Sequence, residues 1–371
     1  MQDADLPPLV AQVLWGGFAA GLLFGAVAQR THFCTMGALA DVFTMRDFTR
    51  LRMWVLAIAV ATLGFNGMAA LGWVDATDSV YARPQLIWLS NLAGGAVFGF
   101  GMVLASGCSS KTLVRLGGGS LKALVVLCVL GLASYATLRG VTAVGRVATV
   151  DRVAVALPVG QDLVSLAAWA GGGARAALSA WLGGAVGLVL LGWVLARPEG
   201  RSRETLLGGL GVGAAIVGGW IVTGLIGQVV EHPLTLERSF LATNTRSMES
   251  LTFVAPIAYT LDWLILYSDA NKLLTFGITS VVGVVVGSAA VALASGQFRW
   301  EGFANTEDTA NHVIGAALMG VGGVTAFGCT VGQGLTGVST LSLGSYLALA
   351  GIVGGGWLAL MVQSWRLERS A

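Results

Sequence analysis

Residues 94–108, GGAVFGFGMVLASGC, recur near the other end of the chain as residues 315–329, GAALMGVGGVTAFGC. Eight of the fifteen aligned positions are identical without a gap, including four glycines and the final cysteine. Both copies are apolar, and both continue through a short polar stretch into another apolar segment that opens with Gly-Ser. A repeated apolar segment that ends in Gly-Cys predicts a membrane protein built from two related halves.

The composition of the chain supports this class. Of the 371 residues, 55% are apolar and 11% are charged, whereas a soluble protein has about 25% charged residues. The mean hydropathy is +0.78. A net charge of +2 excludes nucleic acid as a partner, and the low charge excludes an ordinary soluble enzyme. The 54 glycines indicate close helix packing, interrupted helices, or both.

Apolar windows of about 20 residues predict an all-α polytopic membrane protein with about nine transmembrane helices and short re-entrant helices. The predicted spans are 9–29, 53–74, 86–106, 120–138, 173–196, 205–229, 272–295, 310–327 and 341–364. Five intervening stretches are too apolar for ordinary loops and too short or polar to cross; they are 31–45, 107–118, 155–170, 250–262 and 328–340. We expect these stretches to lie inside the protein or beside a water-filled cavity.

The distribution of lysine and arginine predicts the orientation. One side of the predicted topology carries seven of these residues and the other carries thirteen, with Arg175 left out because it begins a span. The positive-inside rule then places the N-terminus outside and the C-terminus in the cytoplasm. The odd number of spans makes the two halves inverted. We expect one membrane domain, with a first half at 1–150, a connecting helix region at 151–200 and a second half at 201–371.

Three of the four cysteines share a sequence context. Cys34, Cys108 and Cys329 each follow a glycine-rich apolar span and open a short polar segment. A weaker repeat aligns residues 15–34 with 207–226 and places Ile226 where Cys34 stands. Cys128 lies inside an apolar span and is expected to be a buried apolar side chain, which is also the alternative for each of the other three.

Helices that stop inside the bilayer leave backbone N–H groups free to bind an anion. A neutral thiol is a weak donor and a polarizable acceptor, so a line of thiols suits a sulfur-containing anion. Cations flank the cysteines and favour an anion over a metal ion; Asp41 and Asp308 are candidate partners for them. The predicted substrate-binding or translocation residues are Cys34, Cys108, Cys329, Lys111, Arg30, Gln333, Ser109, Gly107 and Gly328.

Several sequence stretches resemble the YeeE/YedE sulfur-transport family of bacterial inner-membrane proteins. They are AQRTHFCTMGALAD, LASGCSSKTLVRLGGGS, MESLTFVAP and LMGVGGVTAFGCTVGQGLTGVSTLSLGS. The resemblance implies nine transmembrane helices in two inverted halves and thiosulfate uptake through a constriction at which Cys34, Cys108 and Cys329 pass the ion on. It implies a location in the inner membrane and no cofactor. The partners are then thiosulfate or a similar sulfur anion, the lipid bilayer and a cytoplasmic sulfur-carrier protein.

Three other functions remain open at this stage. The chain is alternatively a non-transporting membrane partner of a sulfur-oxidation or sulfur-carrier system, a soft-metal transporter, or a membrane thiol oxidoreductase. The sequence has no CxxC or HExxH motif and no Cys/His cluster with zinc spacing, so a metal site or redox pair has no sequence support. We therefore expect a transporter and not an enzyme.

Overall fold

Helices dominate the computed structural model, which describes residues 6–230 and 237–370. Eight helical segments in these ranges are long and apolar enough to cross a membrane. Short antiparallel pairings tie loops together: Gln85–Leu86 (β1) pairs with Val155–Ala156 (β2), and Gln228–Val229 (β3) pairs with Ser239–Phe240 (β4). The chain is an all-α, multi-pass membrane protein, which confirms the predicted class.

The first part of the chain alternates long helices with short ones. Its helices are α1 (Leu6–Arg30), α2 (Thr35–Ala40), α3 (Thr49–Ala70), α4 (Trp88–Leu104), α5 (Ser109–Gly117), α6 (Leu121–Arg139) and α7 (Val141–Ala148). A π-helical turn over Asp41–Met45 continues α2. The short helices α2 and α5 occupy the predicted non-spanning stretches 31–45 and 107–118.

The remainder of the chain also contains both long and short helices. Its helices are α8 (Leu163–Gly171), α9 (Arg175–Leu178), α10 (Gly184–Leu195), α11 (Arg203–Ile221), α12 (Val254–Ile265), α13 (Phe276–Ala294), α14 (Thr306–Thr325) and α15 (Leu343–Ser370). Further π-helical turns lie at Ser179–Gly183, Val222–Ile226 and Gly332–Gly337. The short helices α8 and α12 and the last π-helical turn fall in the other predicted non-spanning stretches.

Three of the nine predicted spans differ from a regular apolar helix. The span at 205–229 consists of α11 followed by a π-helical turn and β3. The span at 173–196 consists of α9, a π-helical turn and α10 in succession. The span at 310–327 corresponds to α14, which is 20 residues long but is not among the eight helices that are apolar enough to cross. Its first turn is polar: Asn305 caps it by accepting a hydrogen bond from the Asp308 N–H at 2.7 Å.

The two copies of the repeat, α4 and α14, cross each other directly and run antiparallel. Gly94 faces the backbone of Ala326, and its counterpart Gly315 faces the backbone of Ala105, which is the counterpart of Ala326. A Cβ at either glycine would overlap that backbone, so only glycine permits the approach. Each contact across the crossing therefore has a counterpart in which the two helices are interchanged, which is the relation that a local two-fold axis produces.

Other helix pairs obey the same exchange. α1 packs on α13, whereas α11, which corresponds to α1, packs on α3. Gly21 of α1 faces Ser280, and Gly213, its counterpart on α11, faces Val60. α4 packs on α15 and α14 packs on α6 in the same manner. The long helices α1, α3, α4 and α6 therefore pack mainly on helices from the later part of the chain.

The helix directions define two sides of the molecule. We call the side where α1 begins the N-terminal side and the opposite side the C-terminal side. α1 and α4 both end on the C-terminal side, because α3 returns the chain between them. α14 runs antiparallel to α4 and ends on the N-terminal side. The short segments that follow these three helices therefore lie on opposite sides.

Candidate functional site

Each of Cys34, Cys108 and Cys329 follows the same type of helix end. The residue two positions before each cysteine has a left-handed backbone, with φ of 51° at His32, 54° at Ser106 and 63° at Phe327. The next N–H group bonds to the carbonyl five residues earlier in all three cases, at 2.8–3.2 Å. This pattern is a Schellman motif, which ends a helix and turns the chain away from its axis. The three cysteines are therefore placed by one repeated backbone device.

The sulfur atoms also have related environments. The Gly37 N–H donates to the Cys34 Sγ at 3.3 Å, and the Gly332 N–H donates to the Cys329 Sγ at 3.4 Å. The Cys108 Sγ lies 3.2 Å from the Ser110 hydroxyl. Cys34 and Cys108 precede the first turns of α2 and α5, where N–H groups lack partners within the helix. Each thiol therefore lies beside polar hydrogens that an anion can use.

The thiols are enclosed and lie on both sides of the molecule. Cys108 and Cys329 are 1% and 0% exposed, and Cys34 is half-buried. Cys34 and Cys108 follow helices that end on the C-terminal side, and they are close enough to interact electrostatically with each other and with Lys111. Cys329 lies towards the N-terminal side, where its electrostatic partner is Tyr81.

The predicted cations differ in how close they come to the thiols. Lys111 and Arg115 of α5 lie beside Gly107, because a Cβ on that glycine would stand 3.4 Å from the Lys111 Cγ and 3.5 Å from an Arg115 Nη. Arg30 is exposed at the end of α1. Arg50, which was not predicted, approaches Gly37 in the turn after Cys34.

The two predicted acids, Asp41 and Asp308, pair with cations other than the predicted ones. Asp41 forms an ion pair with Arg50 at 3.4 Å. Asp308 lies 3.8 Å from Lys122 and 3.0 Å from the His312 ring. Lys111 has no carboxylate partner among the described residues, so its charge is available to a bound anion.

Gln333 lies in the π-helical turn after Cys329 and is 2% exposed. Its Nε2 donates to the Ala326 carbonyl at 2.7 Å, and its Oε1 accepts from the Ser345 hydroxyl at 2.6 Å. Gly328 is packed against it, since a Cβ there would stand 3.0 Å from the Gln333 Cγ. Gln333 therefore braces the loop that presents Cys329 while keeping one amide hydrogen free.

Four buried hydroxyls lack hydrogen-bond partners within the described part of the chain; they belong to Thr62, Ser109, Ser120 and Thr330. Ser109 and Thr330 directly follow Cys108 and Cys329, and both side chains are 0% exposed. An unpaired buried hydroxyl costs about 1–3 kcal/mol. Ser109 is a predicted site residue, whereas Thr330 was missed; the repeat alignment would have found it.

Two cavities lie next to each other on the N-terminal side. The larger is about 200 Å³ and is lined by Glu249, Arg146 and Gly328, among others. The smaller is about 100 Å³ and is lined by Arg83, Gln161 and Gln333, among others. Tyr81 and Phe327 line both cavities. The Arg83 guanidinium lies 5.3 Å from the centre of the Phe327 ring, so a cation stands at the boundary between them.

The fourth position of the repeat is built differently. Ile226 ends a π-helical turn and is followed by Gly227 at a φ of −82°, so the left-handed residue is absent there. The segment over residues 248–253 is non-helical, and two of its carbonyl groups accept side-chain hydrogen bonds. The Thr223 hydroxyl donates to the Glu249 carbonyl, and the Thr336 hydroxyl donates to the Leu251 carbonyl. Cys128 is half-buried within α6, as an apolar side chain would be.

The fold and these segments define a multi-pass membrane protein that presents thiols and cations at helix breaks on both sides. Residues 30–358 match the model of the family described as sulphur transport, and the chain belongs to that family. This match confirms the resemblance inferred from the sequence.

Several proteins of known name are similar to this chain. A thiosulfate transporter TsuA from Spirochaeta thermophila is 27% identical, with 96% of this chain and 100% of the relative aligned. A thiosulfate transporter TsuA from Escherichia coli is 26% identical, with 97% of each chain aligned. The probable transporter YedE from Escherichia coli is 28% identical over 26% of this chain and 22% of its own length.

Proposed function

We propose that this chain imports thiosulfate, or a related sulfur-containing anion, across the bacterial inner membrane through a path lined by Cys34, Cys108 and Cys329. One observation carries the proposal: the same Schellman motif places each of the three thiols. Cys128, which lies within a regular helix, has no such placement. The names of the full-length relatives supply the substrate class.

The helix directions suggest an order of contacts. The positive-inside count makes the N-terminal side the outside of the cell. The anion then meets Arg83 and the two cavities first, passes to Cys329, and reaches Cys108 and Cys34 nearer the cytoplasm. Because Cys329 and Cys108 are repeat equivalents on opposite sides, the path has one thiol station on each side of its centre.

The chemistry of a station fits a dianion with a sulfur end and an oxygen end. The thiol meets the sulfur end, while the unpartnered hydroxyls of Ser109 and Thr330 donate to oxygen atoms. Lys111 supplies positive charge beside the two inner thiols. Thiol contacts are weak, and several weak stations let an ion enter and leave quickly.

The division into halves follows the packing. We propose that residues 1–150 and 201–371 form the two inverted halves and that 151–200 connects them. The reciprocal contacts of Gly94 and Gly315 support this division. A cytoplasmic sulfur-carrier protein would take up the cargo on the C-terminal side, beside Cys34.

The rival functions have less support. A soft-metal transporter is disfavoured because Lys111 and Arg115 flank the inner thiols, and no group of three or more His, Cys, Asp or Glu side chains with metal-binding geometry lies within the described ranges. A thiol oxidoreductase that used all three thiols would need them close together, yet Cys329 lies towards the side opposite Cys34 and Cys108. A purely non-transporting partner would not need a buried thiol on each side.

Uptake into liposomes tests the proposal. The purified chain is reconstituted, and the entry of labelled thiosulfate, sulfate and Ni²⁺ is measured against empty liposomes. We expect thiosulfate to enter and the other two to remain near background. Equal entry of thiosulfate with and without protein would refute transport, and entry of Ni²⁺ alone would support the metal alternative.

A further inference from the structure

A buried carboxyl group lies beside the outer part of the proposed path. Glu249 is 8% exposed and lies outside the membrane-spanning helices, in the non-helical segment before α12. It lines the 200 Å³ cavity together with Gly328, the residue before Cys329. The Thr245 hydroxyl donates to its Oε2 at 2.8 Å. The transport chemistry derived above assigns this acid no role.

The groups that face Glu249 do not neutralise it. Arg146 of α7 lines the same cavity, but its guanidinium is paired with Asp151 at 3.4 Å. Tyr81 and Tyr259 interact electrostatically with Glu249, and both phenols are neutral at physiological pH. Among the described residues, no ion pair links a cation to Glu249.

An ionised Glu249 would repel a dianion that enters this cavity. The repulsion is large because the surroundings are buried and the effective dielectric constant is low. Burial also raises the pKa of Glu249 to about 7, since the charged form loses hydration. The carboxyl group therefore changes its charge within the physiological pH range.

Glu249 and Cys329 both lie near Tyr81. Tyr81 interacts electrostatically with both Glu249 and Cys329. Its hydroxyl oxygen lies 3.6 Å from where a Cβ on Gly332 would stand, and the Gly332 N–H is the group that donates to the Cys329 Sγ. The cavity that holds the carboxyl group therefore borders the loop that presents Cys329.

We propose that Glu249 is a proton-binding gate on this path: the anion reaches Cys329 when the carboxyl group is protonated and is repelled when it is ionised. This inference rests on the proposed transport function and adds its control by external pH. Protonation removes one negative charge and supplies an O–H donor to the anion. Tyr81 and Arg146 line the same cavity.

The test compares pH profiles of uptake. With a pKa of about 7, the protonated fraction falls about tenfold from about pH 6 to about pH 8. We expect wild-type uptake of labelled thiosulfate to fall to a similar extent. Glu249→Gln keeps the shape without the charge, so its uptake should stay within about twofold across this range. Glu307→Gln, which changes an exposed glutamate, is the matched control and should keep the wild-type profile.

The outcomes separate the gate from the transport function. A Glu249→Gln protein that keeps the wild-type pH profile would overturn the gate while leaving transport intact. A folded Glu249→Gln protein without uptake at any pH would also overturn it, because the acid would then be structural. Infrared titration provides a readout without substrate: a carboxylic acid band should titrate near neutral pH in wild type and be missing in Glu249→Gln. A missing band in wild type contradicts the gate even if no anion is transported.

Discussion

Ser109 and Thr330 have buried hydroxyls without partners among the described residues, as do Thr62 and Ser120, but Ser109 and Thr330 also occupy equivalent positions after the two repeats. A hydroxyl in that state is a cost to the folded protein, and its recurrence at equivalent positions favours a functional role. Both follow a thiol directly, where the anion would pass. This pairing of a thiol with a free hydroxyl is the main chemical argument for an oxyanion that also has a sulfur end.

Removing these hydroxyls should weaken transport without weakening the fold. We expect Thr330→Val and Ser109→Ala to raise the KM for thiosulfate about tenfold, the value of one hydrogen bond to a charged group. Thermal stability should stay equal or rise, because an unsatisfied group is removed. Ser134→Ala is the control, since that hydroxyl donates to the Leu130 carbonyl. An unchanged KM in both variants would contradict the role of the hydroxyls.

The sequence predicts some residues of the candidate site and misses others for physical reasons. Cys108 and Cys329 are found because the repeat aligns them, and Lys111 because it lies one helical turn after Cys108. Arg30 is near Cys34 in sequence but exposed, because the Schellman motif turns the chain away from α1. Glu249 becomes a candidate only when the fold brings it next to Gly328.

At the level of helices, the glycines permit the crossing of α4 and α14. Gly101 and Gly315 each face the other's carbonyl oxygen, and a side chain at either position would push the helices apart. Glycine is otherwise unfavourable in a helix by about 0.5–1 kcal/mol relative to alanine. The close contact must therefore offset that cost at these positions.

Adding one methyl group should distinguish a glycine at a close helix contact from a glycine with open space beside it. We expect Gly101→Ala to lower the free energy of unfolding by about 1–3 kcal/mol through overpacking. Gly218→Ala on α11 is the matched control, since nothing lies within 4 Å of the added Cβ. It should stabilise by a few tenths to about 1 kcal/mol. Denaturation in detergent measures both, and equal effects would contradict the crossing.

The helices themselves are predicted well by hydropathy, whereas their ends are not. Glycine is the usual residue in a left-handed helix end, yet His32, Ser106 and Phe327 occupy these positions. The residue types at these three positions therefore do not predict the motif. The π-helical turn at Ser179–Gly183 is also invisible in the sequence, because its composition matches that of the regular helix that follows.

At the level of the whole molecule, the halves exchange partners. α1 rests on α13 and α4 rests on α15, so neither half has a complete core of its own. The repeat in the sequence predicts two inverted halves, and we propose that the antiparallel crossing of α4 and α14 joins them. The sequence does not predict which helices pack together, because glycines at the same spacing allow close packing against any neighbouring helix.

Reporter cysteines test the proposed orientation. Asn271 lies in the exposed loop before α13, and Arg299 lies in the exposed loop before α14. A membrane-impermeant maleimide added to intact cells should label Asn271→Cys strongly and Arg299→Cys only after the membrane is permeabilised. Wild-type protein gives the background from its native thiols. The reverse pattern would contradict the assignment of the outside to the N-terminal side.

We propose that three thiols, placed by one backbone motif, carry the anion. Labelled thiosulfate uptake into liposomes is the measurement that tests this role, with four single variants: Cys34→Ala, Cys108→Ala, Cys329→Ala and Cys128→Ala. Chromatography and thermal unfolding verify that each variant is folded. We predict that the first three lose at least about 90% of uptake, equivalent to about 1.4 kcal/mol or more, while Cys128→Ala keeps the wild-type rate. Wild-type uptake by all four variants would contradict the claim.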